Sequence, residues 1–490
     1  MFYKYLYNLL LCCLLLMQSA VLNAAQSNNQ EDIYSLKRFI DESLKLHSGL
    51  VLADLKVKRL AFDLDKAASQ LGWVLTAQGG YQRNSSSFGI QADVVDFSVG
   101  MERLLKSGHT LSLSGRHEYN DSQQVLSTLS ANPEDKTKFD INYRIPLKKG
   151  ENNIGYSSAI TKAEIEAKMA EFEKVKVRDN LIKNLIEIYY SLATLDARLV
   201  TAEKSLDRTK KLRRYIKSNI NLGLLEKGEI LQIDSQVFSL KLEKQKILDL
   251  KRQQILAVNR FLEKKPNNQF ITSISNNESS IQIINTDTIL KNVEQNSIDL
   301  ALNKLKSDLL NSMLLSSKDR EKSKLDLVMS LGVQNRSGNS SSGVIDDTDT
   351  VGMIRFEYRN ALDKRTFSSE RLQIQIDRES NKEERLSLME DLKYESYQLI
   401  EKVKKSENIV NISKLKDLNE VKKYKDILNR FKQGRSTTNT LIQFDNERIR
   451  AELDYDTERY ELFKRADLLN LKQGLFYSSL LNQERGFSAK

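Results

Sequence analysis

Along this chain the spacing of apolar side chains changes period several times, and each change marks an element. From about Ile33 to Leu71 the pattern is helical and free of proline. At Trp73 it switches to alternation: Trp73, Leu75, Ala77 and Tyr81 fall on one side, Thr76, Gln78 and Gln82 on the other. That is the period of a strand with one wet face. Three more segments follow the same rule. Val95, Phe97, Val99 and Met101 oppose Asp96, Ser98 and Glu102; Leu111, Leu113 and Tyr119 oppose Ser112, Ser114, Arg116 and Glu118; Phe139, Ile141, Tyr143 and Ile145 oppose Asp140, Asn142 and Arg144. Alternation of this kind suits a membrane barrel with a wet lumen and a soluble β-sandwich equally. The connections favour the barrel. A polar loop, Asn84 to Asp93, is followed by a tight turn at Lys106-Ser107-Gly108 and then by a long loop, Asn120 to Lys136. Long, short, long is the loop order of an outer-membrane barrel that the chain enters from the periplasm.

After Leu147 the period becomes helical for roughly 70 residues, which at 1.5 Å per residue make a rod of roughly 100 Å. Within it Leu181, Leu185, Ile188, Leu192, Leu195, Leu199, Ala202 and Leu206 are spaced alternately four and three apart, the repeat of a supercoiled seam. The run turns near Gly223-Leu224, and a second helical stretch, Ile230 to Leu262, leads to a polar linker around Pro266 to Thr286. The pattern then recurs. Ser297-Ile-Asp-Leu-Ala-Leu-Asn-Lys-Leu-Lys resembles Gly49-Leu-Val-Leu-Ala-Asp-Leu-Lys-Val-Lys, and Leu325, Leu327, Met329, Leu331 and Val333 share one face of a new strand. A Gly/Ser/Asp loop, Arg336 to Thr350, is expected before a last strand with Ile354, Phe356 and Tyr358 opposite Arg355, Glu357 and Arg359. Tyr143-Arg-Ile-Pro-Leu147 matches Tyr358-Arg-Asn-Ala-Leu362, and Gly223 matches Gly434; the offsets, 358 − 143 = 215 and 434 − 223 = 211, are close enough to argue for duplication. The expected layout is a first repeat over residues 26–265 (helix, about four strands over 73–147, helical hairpin 150–263), a linker 266–286, a second repeat over 287–480 (helix, two strands over 324–359, hairpin 364–480) and a tail 481–490.

The amino terminus adds an address. Lys4, the apolar run Leu9 to Met17 and the small residues before Gln26 read as a signal peptide, residues 1–25. Both cysteines, Cys12 and Cys13, lie in that run, so the mature chain is expected to carry no disulfide, no thiol chemistry and no Cys-ligated metal. Leu-Leu-Leu-Cys does not offer a lipoprotein processing site. No later stretch approaches the roughly 18 apolar residues of a spanning helix, so entry into a membrane has to be by strands. Three prolines, one tryptophan and 29% charged residues describe long solvated helices better than globular cores. The formal charge of +10 is spread as interleaved Lys and Glu rather than as a basic block, which argues against nucleic acid. His47 stands on a helix, and His109 and His117 are eight positions apart on one strand; no metal, cofactor or catalytic constellation is expected, and the chain is not read as an enzyme.

At this point the sequence resembles the TolC-like outer-membrane efflux protein family over essentially its whole mature length. The resemblance rests on the duplicated layout, the junction Tyr143-Arg-Ile-Pro-Leu-Lys-Lys-Gly150, the segment Tyr189-Tyr190-Ser-Leu192, and the paired tips Asn221-Leu-Gly-Leu-Leu-Glu-Lys-Gly-Glu-Ile-Leu231 and Phe431-Lys-Gln-Gly-Arg-Ser-Thr-Thr-Asn-Thr-Leu-Ile442. It implies an α+β membrane protein: a homotrimer whose strands close one shared transmembrane β-barrel in outer-membrane lipid and whose helices build a long coiled-coil α-barrel in the periplasm. The implied function is the exit duct of a tripartite efflux pump or type I secretion system, reached through a periplasmic membrane-fusion adaptor from an inner-membrane pump of RND or ABC type. Family members supply four strands per chain; this one supplies six, or else Val95 to Tyr119 is a hairpin outside the wall. Gly223, Leu224 and Gly434 fall where the adaptor-contacting turns would be, or are simply helix caps. Members of the family hold the closed gate with a Tyr, an Arg and two Asp, at positions that here read Phe431, Ser436, Thr440 and Gln443. Arg435 is one residue out of register and Asp445 lies further along. The usual acidic ring is absent, and Glu229 is the first-half carboxylate that could replace it. The rival class is a structural protein, a coiled-coil periplasmic adaptor or a surface adhesin. An adaptor has one helical hairpin flanked by lipoyl-like segments and an adhesin one continuous stalk with a C-terminal anchor, and neither layout matches.

Overall fold

A computed structural model describes residues 32–85, 91–122, 131–272 and 285–476. The expected signal peptide over 1–25 and the expected tail over 481–490 lie outside the described residues. In chain order the elements are β1 (Asp32–Tyr34), α1 (Leu36–Leu46), α2 (Ser48–Ala68), β2 (Trp73–Ser85), β3 (Gln91–Leu104), β4 (Thr110–Ser122), β5 (Glu134–Pro146), α3 (Ile154–Asn221), α4 (Glu229–Phe261), β6 (Phe270–Thr272), α5 (Thr286–Asn296), α6 (Ile298–Glu321), β7 (Lys324–Ser340), β8 (Gly343–Arg359), α7 (Arg365–Lys432) and α8 (Thr438–Lys472). Repetition is visible in the lengths. The helices α3 and α7 each run for 68 residues, and their returning partners α4 and α8 for 33 and 35. The leading helix of each half breaks at one residue, His47 or Ser297. No helix among the described residues is long and apolar enough to cross a membrane.

The chain divides into two compact units. The first, assembled from residues 1–51, 176–297 and 391–490, is helical and contains one small sheet in which β1 and β6 pair in parallel. That sheet corrects two expectations. The helix anticipated from Ile33 starts only at Leu36, with Ser35 accepting from Arg38 N as its cap, and the polar linker after Pro266 contains a strand. Tyr34 stacks on Phe270 at 4.6 Å, and Phe39 meets Phe270 edge-on at 5.2 Å. These rings join Ile182, Leu185, Ile186, Tyr189 and Leu192 of α3 in the largest core of the unit. The heptad seam read from the sequence is buried as expected. Leu181, Leu185, Leu192, Leu195, Ala202 and Leu206 are all buried, and Ile188 and Leu199 are half-buried against the same clusters.

The second unit, residues 52–175 and 298–390, holds a six-stranded antiparallel sheet in the order β2-β3-β4-β5-β7-β8. Because β3 and β4 sit between β2 and β5, the extra pair is part of the sheet and not a hairpin outside it. Its turn is fastened to the strand-to-helix junction. Asn153 Nδ2 donates to Leu105 O at 3.1 Å, and Gly108 (φ +87°) lies so close that a Cβ there would stand 2.5 Å from Gly150 O. A further correction concerns the segment from Arg336 to Thr350. It is no loop: β7 and β8 stay in register down to Ser340 opposite Gly343, leaving a two-residue turn. Asn335 Nδ2 bridges to Asp346 and Thr348 across that ladder. The unit's helices are tied by a buried amide pair, Asn303 and Asn381, that exchange hydrogen bonds in both directions.

Candidate functional site

Directly opposed residues of an antiparallel ladder share a face, so the register sorts the sheet's side chains without ambiguity. One row reads Leu75, Met101, Leu113, Ile141, Leu331, Gly352. The row three residues along β2, on the other face, reads Gln78, Ser98, Arg116, Lys138, Gln334, Asp349. The apolar face is bare in the chain by itself: Leu75, Phe139, Ile354 and Phe356 are 65–74% exposed. A contiguous apolar face of this kind needs a covering phase. On β7 it runs from Leu325 to Val333, the length of about nine residues that a tilted strand needs to cross the hydrocarbon.

The apolar band also slips from strand to strand. On β2 it reaches Tyr81, whose row continues through Val95 and Tyr119 and then turns polar at Asp135, Ser337 and Asp346. At the other margin it descends on β7 and β8 to Leu325 and Tyr358, four residues beyond the row of Trp73, Met329 and Ile354. The slip is about one residue per strand. With about 3.3 Å per residue and about 4.8 Å between strands, a level band requires strands tilted by about 35°, within the range of roughly 35–45° found in membrane barrels. On the polar face Arg144 clamps Asp326 at 2.8 Å and Glu357 at 2.7 Å, tying the last strand of the first half to both strands of the second. Nothing in the local pattern marked this triad, because its members lie far apart in the chain.

At the helix tips both hairpins turn by the same device. Gly223 (φ +74°) donates to Ile220 O at 3.0 Å and Leu224 N to Asn219 O at 2.9 Å; Gly434 (φ +73°) donates to Phe431 O at 3.0 Å and Arg435 N to Arg430 O at 2.8 Å. These are Schellman caps, in which a left-handed residue lets two amides satisfy the last carbonyls. Leu222 and Leu224 project from the first tip, each 69% exposed, and Arg435 is exposed on the second. Phe431 does not stand free. It is buried with Ile216, Ile233 and Leu441, so each of α3, α4, α7 and α8 contributes one side chain to a small core. Glu229 is half-buried and accepts a hydrogen bond from Thr438 Oγ1. Thr440 bonds the capping hydroxyl of Thr437 at 2.9 Å, and Gln443 is exposed and reaches Glu447 at 3.4 Å.

Away from the tips the helical unit buries charge. Asp445 lies 3.3 Å from Arg448 Nε and 3.8 Å from Arg208 Nε, and burial pushes its carboxyl up to about 6 although Arg208 opposes the shift. Asp467 is 2% exposed and accepts from Tyr190 Oη at 2.6 Å. Burial outweighs that bond and pushes Asp467 up to about 7, while Tyr190 is itself pushed well up by burial. Sequence reasoning passed over this carboxyl. The signal was its position, since Tyr460, Phe463, Asp467 and Leu471 follow one helical stripe and three of the four are apolar in character. Among the described residues no group of His, Cys, Asp and Glu is placed to hold a metal ion.

No protein-family model matches the chain, and no curated protein matches it. Solved structures do. The chain is similar to the outer membrane protein VceC of Vibrio cholerae at 14% identity and a TM-score of 0.61, with 90% of this chain and 96% of that one covered. It is similar to the outer membrane channel CmeC of Campylobacter jejuni at 14% identity and a TM-score of 0.61, covering 90% and 86%. It is also similar to the open state of the MtrE outer membrane channel of Neisseria gonorrhoeae at 12% identity and a TM-score of 0.59, covering 90% and 89%. The chain has the fold of these outer-membrane channels, and the resemblance read from the sequence holds at that level.

Proposed function

We propose that this chain is the outer-membrane exit duct of a tripartite efflux pump or type I secretion system, working as a homotrimer that passes small molecules or proteins passively from periplasm to exterior. The single observation that carries the reading is the six-stranded sheet with one slipped apolar face and two unpaired edges. In lipid an unpaired strand edge leaves backbone groups without partners, at several kcal/mol each. The number six is even, so β8 of one chain runs antiparallel to β2 of the next and the edges can close. Two such chains give twelve strands and three give eighteen; three is the number that the resemblance read from the sequence implies. In the trimer the outer membrane surrounds the apolar face, the polar face lines the water path, and the helices lie in the periplasm.

The tips, with Leu222, Leu224 and Arg435 exposed around the glycine turns, are the proposed contact for a periplasmic membrane-fusion adaptor, and through it for an inner-membrane pump of RND or ABC type. Gating by an acidic ring finds no support, since Thr440 and Gln443 carry no charge and Glu229 is engaged with Thr438. Purification from outer membranes in detergent, mass measurement and single-channel recording test the reading. A mass of three chains and a stable conductance are expected; a soluble monomer without conductance overturns it. Cysteines placed at Ser85 and Ser127 test the strand count, because both react with an external thiol probe if six strands span and Ser127 stays silent if four do.

A further inference from the structure

Resting on the duct reading, we infer that the apolar face of the sheet carries a seat for the phosphate of an anionic phospholipid at its helix-side margin, formed by Arg103, Trp73 and Lys106. The register fixes the place. Trp73 and Arg103 are directly opposed on β2 and β3, in the row that continues through Leu111 and Tyr143, and on β2 and β3 it is the last row of that face at the helix-side end. Arg103 Nε donates to Leu71 O at 3.1 Å, and its guanidinium carbon lies 5.8 Å from the centre of the Trp73 ring. Held in this way, the fork still has its two terminal nitrogens, which make no hydrogen bond or ion pair with another described residue. Trp73 is 44% exposed, and Arg103 and Lys106 are exposed beside it on the strand and its following turn.

Charge distinguishes this margin from the other. Arg83 and Arg103 are the Lys or Arg residues that the strands place on the apolar face. Arg83, at the far margin, is held by Asp93 at 2.7 Å, and the acids of that face, Asp93, Asp121, Asp135 and Asp346, all lie at the far margin. Arg103 is ten residues from Asp93 along β3 (103 − 93 = 10), about 33 Å of strand. Lys106 likewise has no ion pair among the described residues, whereas Lys138 and Arg355 on the polar face have carboxylates at 2.8 and 2.6 Å. A guanidinium without a counter-charge on a lipid-facing wall has to find its anion outside the chain. Phospholipid phosphates lie where the hydrocarbon ends, the level that interfacial Trp and Tyr also take. Arg binds phosphate through charge-assisted N–H bonds, often two in parallel. The acyl chains of the same lipid would lie along Leu75 and Met101, the next opposed pair on that face. A zwitterionic headgroup brings its own ammonium to the phosphate, so an anionic headgroup of the phosphatidylglycerol type gains more from Arg103 and Lys106.

Trp73 is the only tryptophan of the chain, so its fluorescence reports on this seat. The full chain is reconstituted into vesicles of brominated phosphatidylglycerol diluted with plain phosphatidylcholine, and into the reverse mixture, and the two quenching curves give the relative binding constant of the two lipids at Trp73. A preference for phosphatidylglycerol of about threefold or more is expected in the wild type. It should fall to about one in Arg103→Gln/Lys106→Gln and persist in Arg83→Gln at the far margin; Lys106→Gln alone should lower it in part, and serves if the double variant does not assemble. Equal affinities in the wild type, or a preference that survives in these variants, overturn the inference and leave the duct reading standing, since Trp73 is then still quenched by lipid. Excess inorganic phosphate is expected to leave the preference unchanged; its abolition would assign the seat to a free anion and overturn the inference as well. Absence of quenching by either brominated lipid in the wild type is a different result, which places this face outside lipid and refutes the duct reading together with the inference.

Discussion

Replacing Asp467 by Asn should raise the stability of the helical unit at neutral and alkaline pH and remove a pH dependence. The carboxyl is buried between α3 and α8 with one strong donor, Tyr190, and its pKa lies at about 7 against an ordinary 3.8. A folded-state pKa raised above the unfolded one means that the native protein holds the proton more tightly. The stability is therefore fully present below about pH 4, is lost as pH rises through about 7, and stays lost above that. The shift is about three units at about 1.36 kcal/mol each, so the loss is on the order of 4 kcal/mol. The Asn amide keeps an acceptor for Tyr190 and never ionises. Far-ultraviolet circular dichroism melts of the detergent-solubilised protein at pH 5, 6, 7 and 8 give the comparison. The wild type is expected to melt progressively lower as pH rises, and the difference between variant and wild type is expected to grow from pH 5 to pH 8 by several degrees. A variant that tracks the wild type in parallel across this range, or loses stability at pH 8, refutes the argument that burial dominates at this carboxyl.

Three further outcomes are expected. Glu263 holds the left-handed position (φ +51°) after α4, where Gly474 serves the equivalent turn after α8, so Glu263→Gly should stabilise by about 1 kcal/mol in denaturant titrations; a loss of stability would show that the Glu side chain earns its place. Leu331 lies in the middle of the apolar band and Gln334 on the opposite face, so Leu331→Arg should cost about 2–4 kcal/mol and reduce the assembled oligomer seen on unheated gels, whereas Gln334→Arg should not; equal effects would mean that the two faces are misassigned. Gly108→Val introduces a Cβ into backbone 2.5 Å away at φ +87°, and it should destabilise the sheet by more than about 2 kcal/mol by thermal melting; a neutral variant would mean that the turn is not fastened to the helix junction.

The parts of the fold that were legible in the sequence are those whose signal is local and periodic. The seam from Leu181 to Leu206 and the alternation from Phe139 to Ile145 each follow from one element's own geometry, and the glycine turns at Gly223 and Gly434 follow from the backbone conformation that they alone adopt cheaply. What failed depended on a partner. Residues Arg336 to Thr350 read as a loop because Gly, Ser and Asp dominate and neither face is apolar, yet β7 holds β8 in register and cross-strand bonds such as Asn335 to Asp346 replace the missing alternation. The strand Phe270–Thr272 is invisible until Asp32–Tyr34 lies beside it. The burial of Phe431, a gate candidate from its place before Gly434, likewise shows only once four helices join.

The two extra strands change what the proposed duct can carry more than any side chain at its mouth. A band that slips by about one residue per strand across β2 to β8 arrives at the chain's edge about five residues out of step with where it began. A neighbouring copy restores the level only if its β2 continues the same slip. In the proposed trimer the register within one chain would therefore dictate the register between chains, and a tilt of about 35° would be common to all strands. At that tilt and a strand spacing of about 4.8 Å, eighteen strands close at a radius of roughly 17 Å and twelve at roughly 11 Å. Cross-section grows with the square of the radius, so the hairpin β3-β4 roughly doubles the area that the backbone encloses. The Arg144 clamp on Asp326 and Glu357 lies on the polar face, the one that would line the proposed duct, with its charges paired across β5, β7 and β8. In the proposed trimer a wide lumen lined by paired charges would select weakly by size and by sign, and selection would then fall to whatever loads the helical end.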